Sequence, residues 1–414
     1  MQRHLRNLQY YKFSAYGFLR NLRFFDSFLL LFLLEKGMSY SQIGVLYAVK
    51  EVALNLFEIP SGIIADGLGR KKSLATSFVA FIASFIVFYF SSNFWLFLLA
   101  FAVFGLADAF RTGTHKGMMM DYLKLKGWSE HKTAYYGNTR SWSQIGLAVS
   151  ALFAGTIVLF TGTYRSIFIY SVVPYLLNLV LLLTYPAVLD KSLQRKSNSA
   201  SGKLLEAGRE FVLILKRPQV LKLISSSAAH TAFQKSVKDY IQPAMVLAIS
   251  TLPFFAGSDE KQKNGWYIGI IYFVIYLFTS RSSKLAGWVK EEKRRSVAKL
   301  TLLVGLGAGV LCGSLLVWNF AWFSVLAFAL IFMVENFRKP IMTGLVADVV
   351  PTSILASVLS AQSQLRTVLS VFISIGIGVL ADLFGVGIGL LMVSLTLLLF
   401  YFILGVFRYP KKLQ

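Results

Sequence analysis

The sequence contains little charge and almost no cysteine. Charged residues make up 15% of the 414 positions, whereas soluble domains average about 25%. Cys312 is the single cysteine, so a disulfide within the chain and a cysteine-based zinc or iron–sulfur site are both excluded. Hydrophobic residues instead account for 56% of the chain, and the mean hydropathy is +0.62. These values exclude collagenous, disordered and disulfide-scaffold proteins and predict an integral membrane protein.

Long apolar runs recur along the whole chain. A helix needs roughly 20 apolar residues to cross a hydrocarbon core of about 30 Å. Twelve segments of suitable length are predicted to cross the membrane as helices, which makes the chain an all-α polytopic membrane protein. The predicted spans are residues 12–34, 41–64, 73–92, 94–121, 134–160, 165–188, 219–250, 264–281, 297–317, 320–345, 353–383 and 386–407.

The basic residues predict the orientation of these spans. Lysine and arginine are retained on the cytoplasmic side of membrane proteins, whereas acidic residues have little influence. With the N-terminus inside, the cytoplasmic segments carry 27 of the 42 basic residues and the opposite side carries four. Both termini are therefore predicted to be cytoplasmic, and topology explains most of the net charge of +23 without a nucleic-acid partner. The apolar run after Met1 lacks a small-residue cleavage site, so we interpret it as the first span.

The two halves of the chain share short sequence matches at a nearly constant offset. Ile43–Tyr47 recurs as Ile268–Tyr272, a shift of 225 residues. The pair Arg111 and Asp121 recurs at a shift of 227 residues as Arg338 and Asp348. Ordered matches of this kind predict two homologous six-span halves. The predicted domains are a six-helix bundle at 1–190, a cytoplasmic linker at 191–218 and a second six-helix bundle at 219–414.

The segment between spans 2 and 3 contains the most specific motif of the chain. From Gly62 to Lys72 it reads Gly-Ile-Ile-Ala-Asp-Gly-Leu-Gly-Arg-Lys-Lys. This segment matches the loop pattern G-x-x-x-D-x-x-G-x-R/K-R/K at every constrained position, and the chain therefore resembles the major facilitator superfamily of transporters. The second copy, between Gly287 and Arg295, is degenerate. The resemblance covers the whole chain, because the twelve spans, the two halves and the basic central segment all agree with it.

This resemblance implies transport by alternating access, in which two six-helix bundles rock about a central cavity. The loop motif would then form a cytoplasmic latch that holds the outward-open state closed on the inside. Asp66 and Arg70 are the implied pair, and Asp121 at the end of span 4 completes a charge relay. The latch candidates are Gly62, Asp66, Gly69, Arg70, Lys71 and Asp121, with Glu291, Arg295 and Asp348 as their second-half counterparts.

Ionisable residues inside the spans are the candidates for the solute and proton pathway. Each is costly in hydrocarbon unless it faces a wet cavity or a partner. The three-residue spacings of Arg20, Arg23 and Asp26 predict one shared face of span 1. The structural alternative to a pathway role is that charges cancel within one helix. Asp26 would then neutralise Arg23, and Asp239 would neutralise Lys235. The pathway candidates are Arg20, Arg23, Asp26, Glu58, Asp108, Arg111, His230, Lys235, Asp239, Glu335 and Arg338.

The charge balance within the spans favours an anionic solute. Eleven basic residues face six acidic ones there, and arginine forks bind carboxylates in a planar geometry. Snorkelling of basic side chains toward the cytoplasmic face is the alternative explanation. The abundant aromatic residues would also suit an amphipathic ligand. Asp26, Glu58 and Asp108 are the candidate proton carriers, because buried acids are able to exchange a proton near neutral pH.

The remaining motifs exclude an enzyme. The sequence contains no phosphate-binding P-loop, no metal-ligand spacing and no serine–histidine–aspartate constellation, so neither a cofactor nor a metal site is predicted. Proton-coupled export by an antiporter of the bacterial cytoplasmic (inner) membrane is the preferred function. The alternatives are an uptake symporter for an organic anion and a transport-inactive relative that acts as a sensor or scaffold. The expected partners are a small solute, a proton and the lipid bilayer, and the expected working unit is a monomer.

Overall fold

The computed structural model describes residues 6–190, 218–253, 259–350 and 355–404. These residues form fifteen α-helices and no β-strand. The helices are α1 Leu8–Arg20, α2 Leu29–Glu35, α3 Tyr40–Leu68, α4 Arg70–Phe90, α5 Phe94–Arg111, α6 Thr114–Leu125, α7 Lys132–Thr161, α8 Ser166–Leu183, α9 Pro218–Val237, α10 Ile241–Ile249, α11 Glu260–Leu285, α12 Arg294–Val317, α13 Ala321–Val349, α14 Leu355–Phe384 and α15 Val386–Ile403.

These helices account for the twelve predicted spans and confirm the all-α polytopic fold. Eight helical stretches in the described part are long and apolar enough to cross a membrane by length and composition alone. The helices of spans 2 and 8, α3 and α11, have 29 and 26 residues but are not among these eight. Spans 1 and 7 are each divided by a short 3₁₀ turn, so neither contains a single helix of full length.

Three spans are interrupted where the sequence predicts continuous helices. Span 1 breaks between α1 and α2 at a 3₁₀ turn over Phe24–Ser27. Span 4 breaks between α5 and α6 at Gly113, whose φ of +81° lies in the left-handed region that favours glycine. Span 7 breaks between α9 and α10 at a 3₁₀ turn over Lys238–Tyr240. Interrupted helices expose backbone groups and are found in membranes where the break is buried or lines a cavity.

The chain groups into two compact units. The first comprises the described residues of Met1–Met38, Val49–Gln194 and Leu252–Tyr276. The second comprises those of Ser39–Ala48, Arg195–Thr251 and Leu277–Gln414. Each unit therefore includes a short segment from the opposite half of the sequence. The proposed division at residues 190 and 219 stays a prediction, and the linker at 191–217 lies outside the described residues.

Aromatic side chains fill the core of the first unit. The rings of Phe81 and Phe104 pack edge to face with centroids 4.9 Å apart, and those of Phe85 and Tyr175 do so at the same distance. Such edge-to-face pairs add about 0.5–1.5 kcal/mol each beyond the area that they bury. The hydroxyl of Tyr175 donates to the backbone carbonyl of Arg20 at 3.4 Å. The aromatic core thus fixes the position of the last turn of α1.

Glycines allow α7 and α11 to touch within the first unit. A Cβ at Gly155 would meet the carbonyl oxygen of Gly265 at 2.7 Å, and one at Gly269 would meet the carbonyl oxygen of Ala151 at 2.8 Å. No other residue fits without displacing a backbone. Small residues at a helix contact are the usual means of close approach in membranes. Beyond this contact, Lys261 Nζ lies 2.6 Å from Glu35 Oε1.

In the second unit the N-terminus of α3 is held by α14. Ser39 and Gln42 form a capping box, in which the Gln42 amide donates to Ser39 Oγ at 3.2 Å and the Ser39 amide to Gln42 Oε1 at 3.0 Å. The carboxylate of Asp382 on α14 accepts the backbone N–H groups of Tyr40 and Ser41, each at 2.8 Å, and the Ser41 hydroxyl. Asp382 therefore satisfies donors that a helix N-terminus leaves open.

Candidate functional site

The break in span 1 places three predicted site residues around one turn. Arg20 ends α1, and the Asn21 side chain stops the helix by donating to the Gly17 carbonyl at 2.7 Å. Arg23 precedes the 3₁₀ turn that contains Asp26, and its Nη1 lies 3.7 Å from Asp26 Oδ2. The predicted single face of a regular helix is therefore wrong. The chain unwinds here and the side chains point from a turn.

The break in span 4 supplies the partner of this turn. Asp108 and Arg111 lie in the last turn of α5, and Arg111 donates to Asp108 Oδ1 from Nε at 3.0 Å and from Nη2 at 2.9 Å. The same oxygen lies 3.5 Å from Arg20 Nη2. The five charged side chains are only 14–19% exposed. Three guanidinium groups against two carboxylates leave the cluster with one net positive charge.

A pocket of about 230 Å³ opens beside this cluster, within the first unit. Four of its lining residues carry a positive charge, and none of the described residues that line it is a carboxylate. These residues are Arg20, Arg111, Lys116 and Arg140. Neutral donors and acceptors lie between them, contributed by Asn21, Thr112, Thr139 and Ser143. The pocket thus combines a small volume with an excess of positive charge.

An aromatic stack forms one wall of the pocket. The rings of Tyr16 and His115 are parallel within 6°, with centroids 3.6 Å apart. His115 Nε2 lies 3.1 Å from the hydroxyl of Tyr185, which follows the last turn of α8. The Tyr16 hydroxyl is buried and has no hydrogen-bond partner among the described residues.

Sequence reasoning did not select Tyr16 as a site residue. The signal that could have found it is its spacing of four residues from Arg20, which places both on one face of α1. His115, Lys116 and Arg140 were recognised as ionisable residues within spans but were not selected either. Their role depends on the turn at Gly113, which brings α6 against α7.

The second unit contains a different cluster of predicted residues. His230 on α9 lies 2.8 Å from Glu335 on α13, measured from Nδ1 to Oε2. Arg338, also on α13, is 1% exposed and donates to Ser226 Oγ at 2.6 Å, to Thr301 Oγ1 at 3.0 Å and to the Ala298 carbonyl. Arg338 corresponds to Arg111 in the repeat but is enclosed by protein.

The remaining pathway candidates are placed apart from both clusters. Asp239 lies in the 3₁₀ turn of span 7, where Lys238 Nζ approaches its Oδ1 at 3.5 Å. Lys235 occupies the last turn of α9. Glu58 is half-buried on α3, in the turn before Pro60.

The latch candidates of the first half converge on Arg70. Gly69 makes the turn into α4 with φ +106°, and Arg70 Nη1 then lies 2.6 Å from Asp121 Oδ2. The guanidinium packs on Gly117, where an added Cβ would lie 3.1 Å from Nη1. Asp190 also joins this group, because it accepts the backbone N–H of Lys71 at 2.7 Å. Sequence reasoning did not select Asp190.

In the second half, the latch candidates Glu291 and Asp348 lie near Arg294, the residue before the predicted Arg295. Arg294 Nη1 lies 3.5 Å from Glu291 Oε1 and 3.6 Å from Asp348 Oδ2, and it approaches Gly344 as Arg70 approaches Gly117. These contacts are made by Arg294, and the assignment of Arg295 to the latch stays a prediction. Asp348 and Glu291 are 54% and 84% exposed, so this pairing is weaker than its first-half counterpart.

Two elements of the predicted motif are not part of this geometry. The side chain of Asp66 lies outside the described residues. Apart from its chain neighbours and the backbone of its own helix, no described atom lies within 4 Å of the position that a Cβ on Gly62 would take, so no other described helix approaches closely there.

Comparisons with known proteins agree with the fold and with the loop motif. A family model described as the Major Facilitator Superfamily matches residues 16–375. The MFS-type transporter YxaM of Bacillus subtilis (strain 168) is 26% identical over 406 residues, which cover 94% of this chain and 93% of the relative. The chain belongs to the major facilitator superfamily, a family of membrane transporters that work by alternating access and are not enzymes.

Solved structures share the fold at low sequence identity. The nucleoside transporter NupG matches with a TM-score of 0.74 at 15% identity, over 98% of this chain and 100% of that one. A D-xylose–proton symporter matches with a TM-score of 0.69 at 14% identity, over 96% of each chain. These likenesses show the fold alone.

Proposed function

We propose that the protein transports a small organic anion across the bacterial cytoplasmic membrane together with a proton. The observation that carries this proposal is the pocket of the first unit, where the described lining residues include four cationic side chains and no carboxylate. Asp108 offsets part of the charge of Arg20 and Arg111, whereas the described part of the pocket wall offers no carboxylate to Lys116 and Arg140. A buried excess of positive charge is stabilised when an anion enters.

The shape of the pocket supports a small carboxylate. Its volume lies just below the range of about 300–1,000 Å³ that drug-sized ligands occupy. Arg20 and Arg140 offer planar N–H forks that match a carboxylate. Phe13, Met119 and the Tyr16–His115 stack supply apolar surface on the same wall. An anion with a short apolar or aromatic body fits both kinds of contact.

The arrangement of these charges favours symport, in which the anion and a proton move together, over the proton-coupled export by an antiporter that the sequence suggested. Asp26 and Asp108, two of the proposed proton carriers, have arginine neighbours within 3.7 Å. An anion that enters a cell with a negative interior moves against about 2.3 kcal/mol per 100 mV for each charge. A proton carried with the anion cancels this cost. Proton-driven export by an antiporter is the competing outcome of the experiment below.

The pocket is tested by the melting temperature of the purified protein with matched ligand pairs. Benzoate, lactate and succinate are each compared with the corresponding amide, which keeps the body and removes the charge. At least one acid is expected to raise the melting temperature, with a stabilisation of about 2.7 kcal/mol at 100 times its dissociation constant, while its amide has no effect. Arg140→Gln should abolish the shift.

Arg165→Gln is the matched control for this experiment. Arg165 belongs to the same unit but stacks on the Tyr89 ring at 4.2 Å, outside the pocket wall. This variant should keep the response to the acid. Equal stabilisation by acids and amides, or loss of the response in both variants, would contradict an anion site in this pocket.

We propose the predicted topology for the same carrier. A reporter inserted at Lys196, in the central linker, is expected on the cytoplasmic side. One inserted at Asp259, just before α11, is expected on the outer side, because basic residues are scarce there. The measurement is reporter activity in intact cells, and both reporters on one side would contradict it.

We also propose that Arg70 and Asp121 form the working part of the latch. Their contact is short and 13–14% exposed, which favours a specific structural role over a solvated pair. Arg294 and Asp348 are the proposed counterparts in the second half. The carrier is proposed to function as a monomer.

A further inference from the structure

We propose that His230 and Glu335 form the proton-binding site of the carrier. This inference deepens the proposed function and rests on its proton coupling. His230 lies on α9 and Glu335 on α13, and both belong to the second unit. The anion pocket belongs to the first unit, so solute and proton would bind at separate places in the chain.

The pair is built for one proton. His230 Nδ1 lies 2.8 Å from Glu335 Oε2, and the hydroxyl of Thr231 donates to Glu335 Oε1 at 2.8 Å. Both carboxylate oxygens are therefore engaged. His230 is 0% exposed and Glu335 is 7% exposed. When an imidazole and a carboxylate are buried and lie this close together, a proton passes between them with little movement of the heavy atoms.

The second ring nitrogen of His230 marks the place for the proton. Nε2 is buried and has no hydrogen-bond partner among the described residues. It lies against Gly305 on α12, so closely that any Cβ at this position would collide with the ring. Buried polar atoms without a partner are rare in native structures and need an explanation. When Nδ1–H donates to Glu335, the lone pair on Nε2 is the free acceptor of the pair.

The charges that surround the pair come mainly from α13. Lys339 lies one turn beyond Glu335 and acts on its carboxylate, while Arg338 is turned toward Ser226 and Thr301. Gly305 of α12 brings no charge. From α14, neutral Gln362 donates to Ser227 at 3.0 Å, and Arg366 donates to Ser363 of its own helix at 2.8 Å.

The proposed step is the binding of one proton and involves no other bond change. Water on one side of the membrane donates the proton to Nε2, and the imidazolium is then paired with the Glu335 carboxylate through Nδ1–H. The charge of the pair rises from −1 to 0, which reduces the cost of holding it in a low-dielectric interior. The proton returns to water on the opposite side after the alternation.

The direct test follows the ring nitrogens of His230 by nuclear magnetic resonance in the purified full-length protein. The chain has four histidines, and the signals that disappear in His230→Gln are those of His230. Between acid and alkaline buffer the Nε2 signal should move from the position of a protonated ring to that of an unprotonated one, and the isosteric Glu335→Gln should alter this response. A signal that is the same in both buffers, or a response that is unchanged in Glu335→Gln, would overturn the proposal.

A flux experiment separates this inference from the proposed function. In vesicles with a gradient of about one pH unit, a symporter of one anion and one proton sustains about tenfold accumulation. Glu335→Gln should abolish accumulation of lactate, the probe, measured against protein-free vesicles, but keep exchange of labelled for unlabelled lactate. Glu292→Gln, the same change at an exposed position outside the pair, is the matched control and should retain the accumulation. A Glu335→Gln protein that still accumulates lactate overturns the proton site. A wild type that moves none of the tested acids counts against the proposed function and leaves the nuclear magnetic resonance experiment to decide the proton site.

Discussion

Replacing Asp108 by alanine is expected to abolish anion transport and to destabilise the protein by about 3–5 kcal/mol. The single oxygen Oδ1 serves both Arg20 and Arg111, and all three side chains are at most 19% exposed. Without the carboxylate, the guanidinium groups of Arg20 in span 1 and Arg111 in span 4 lie close together with no acid between them. The measurements are the melting temperature and lactate flux in vesicles at equal protein content.

The double variant Asp108→Asn, Arg111→Gln is the control for this prediction. It removes one charge of each sign, so the cluster keeps its net charge of one. Stability is expected to recover most of the loss, because the cost comes from the orphaned charges. Transport is not expected to recover, since the fork of Arg111 is gone from the pocket wall. Full transport in the double variant would show that the cluster is structural only.

Replacing Arg338 by methionine is expected to prevent stable folding. The guanidinium supplies N–H groups to Ser226, Thr301 and the Ala298 carbonyl in a site that is 1% exposed. Loss of a buried charged donor costs about 3–5 kcal/mol, and the whole stability of a domain is of order 5–15 kcal/mol. The measurement is the yield of monodisperse protein and its melting temperature.

Lys339→Met is the matched control, because it removes a positive charge from the next, exposed position of the same helix. This variant should fold with a melting temperature near that of the wild type. The comparison also tests whether the two equivalent arginines of the repeat differ in role. Arg111 lines a pocket, whereas Arg338 holds helices together through hydrogen bonds. An Arg338→Met protein of ordinary stability would remove this distinction.

The spans could be predicted because long apolar runs have few stable alternatives in a membrane. The interruptions within them could not, since hydropathy does not register a change of backbone direction. Asn21 and Gly113 are the local signals of two breaks, and both residue types are also tolerated within helices. The second loop presents a related difficulty. Its degenerate sequence does not fix the register within one residue, so it could not indicate that Arg294, next to the predicted Arg295, contacts Glu291 and Asp348.

The candidate site, too, could be predicted from the sequence only in part. The cost of burying charge was enough to select Arg20, Asp108 and Arg111 from the sequence. Their pairing depends on where the ends of α1 and α5 lie in the folded protein, which no sequence spacing encodes. The sequence suggested that Arg23 is neutralised by Asp26 within one helix, and these two do lie 3.7 Å apart, but across a turn. The stack of Tyr16 on His115 depends on the same tertiary packing.

The hydrogen bonds of Asp382 affect how readily two helix ends separate. A helix whose N-terminus is capped by a residue on another helix loses that cap whenever the two helices separate, at a cost of about 0.5–2 kcal/mol. Tyr40 and Ser41 of α3 are held in this way by α14, although they come from opposite halves of the sequence. Any movement that draws these helix ends apart must first release three hydrogen bonds to one side chain. Separation of these two helix ends therefore costs more with Asp382 in place than it would without this carboxylate.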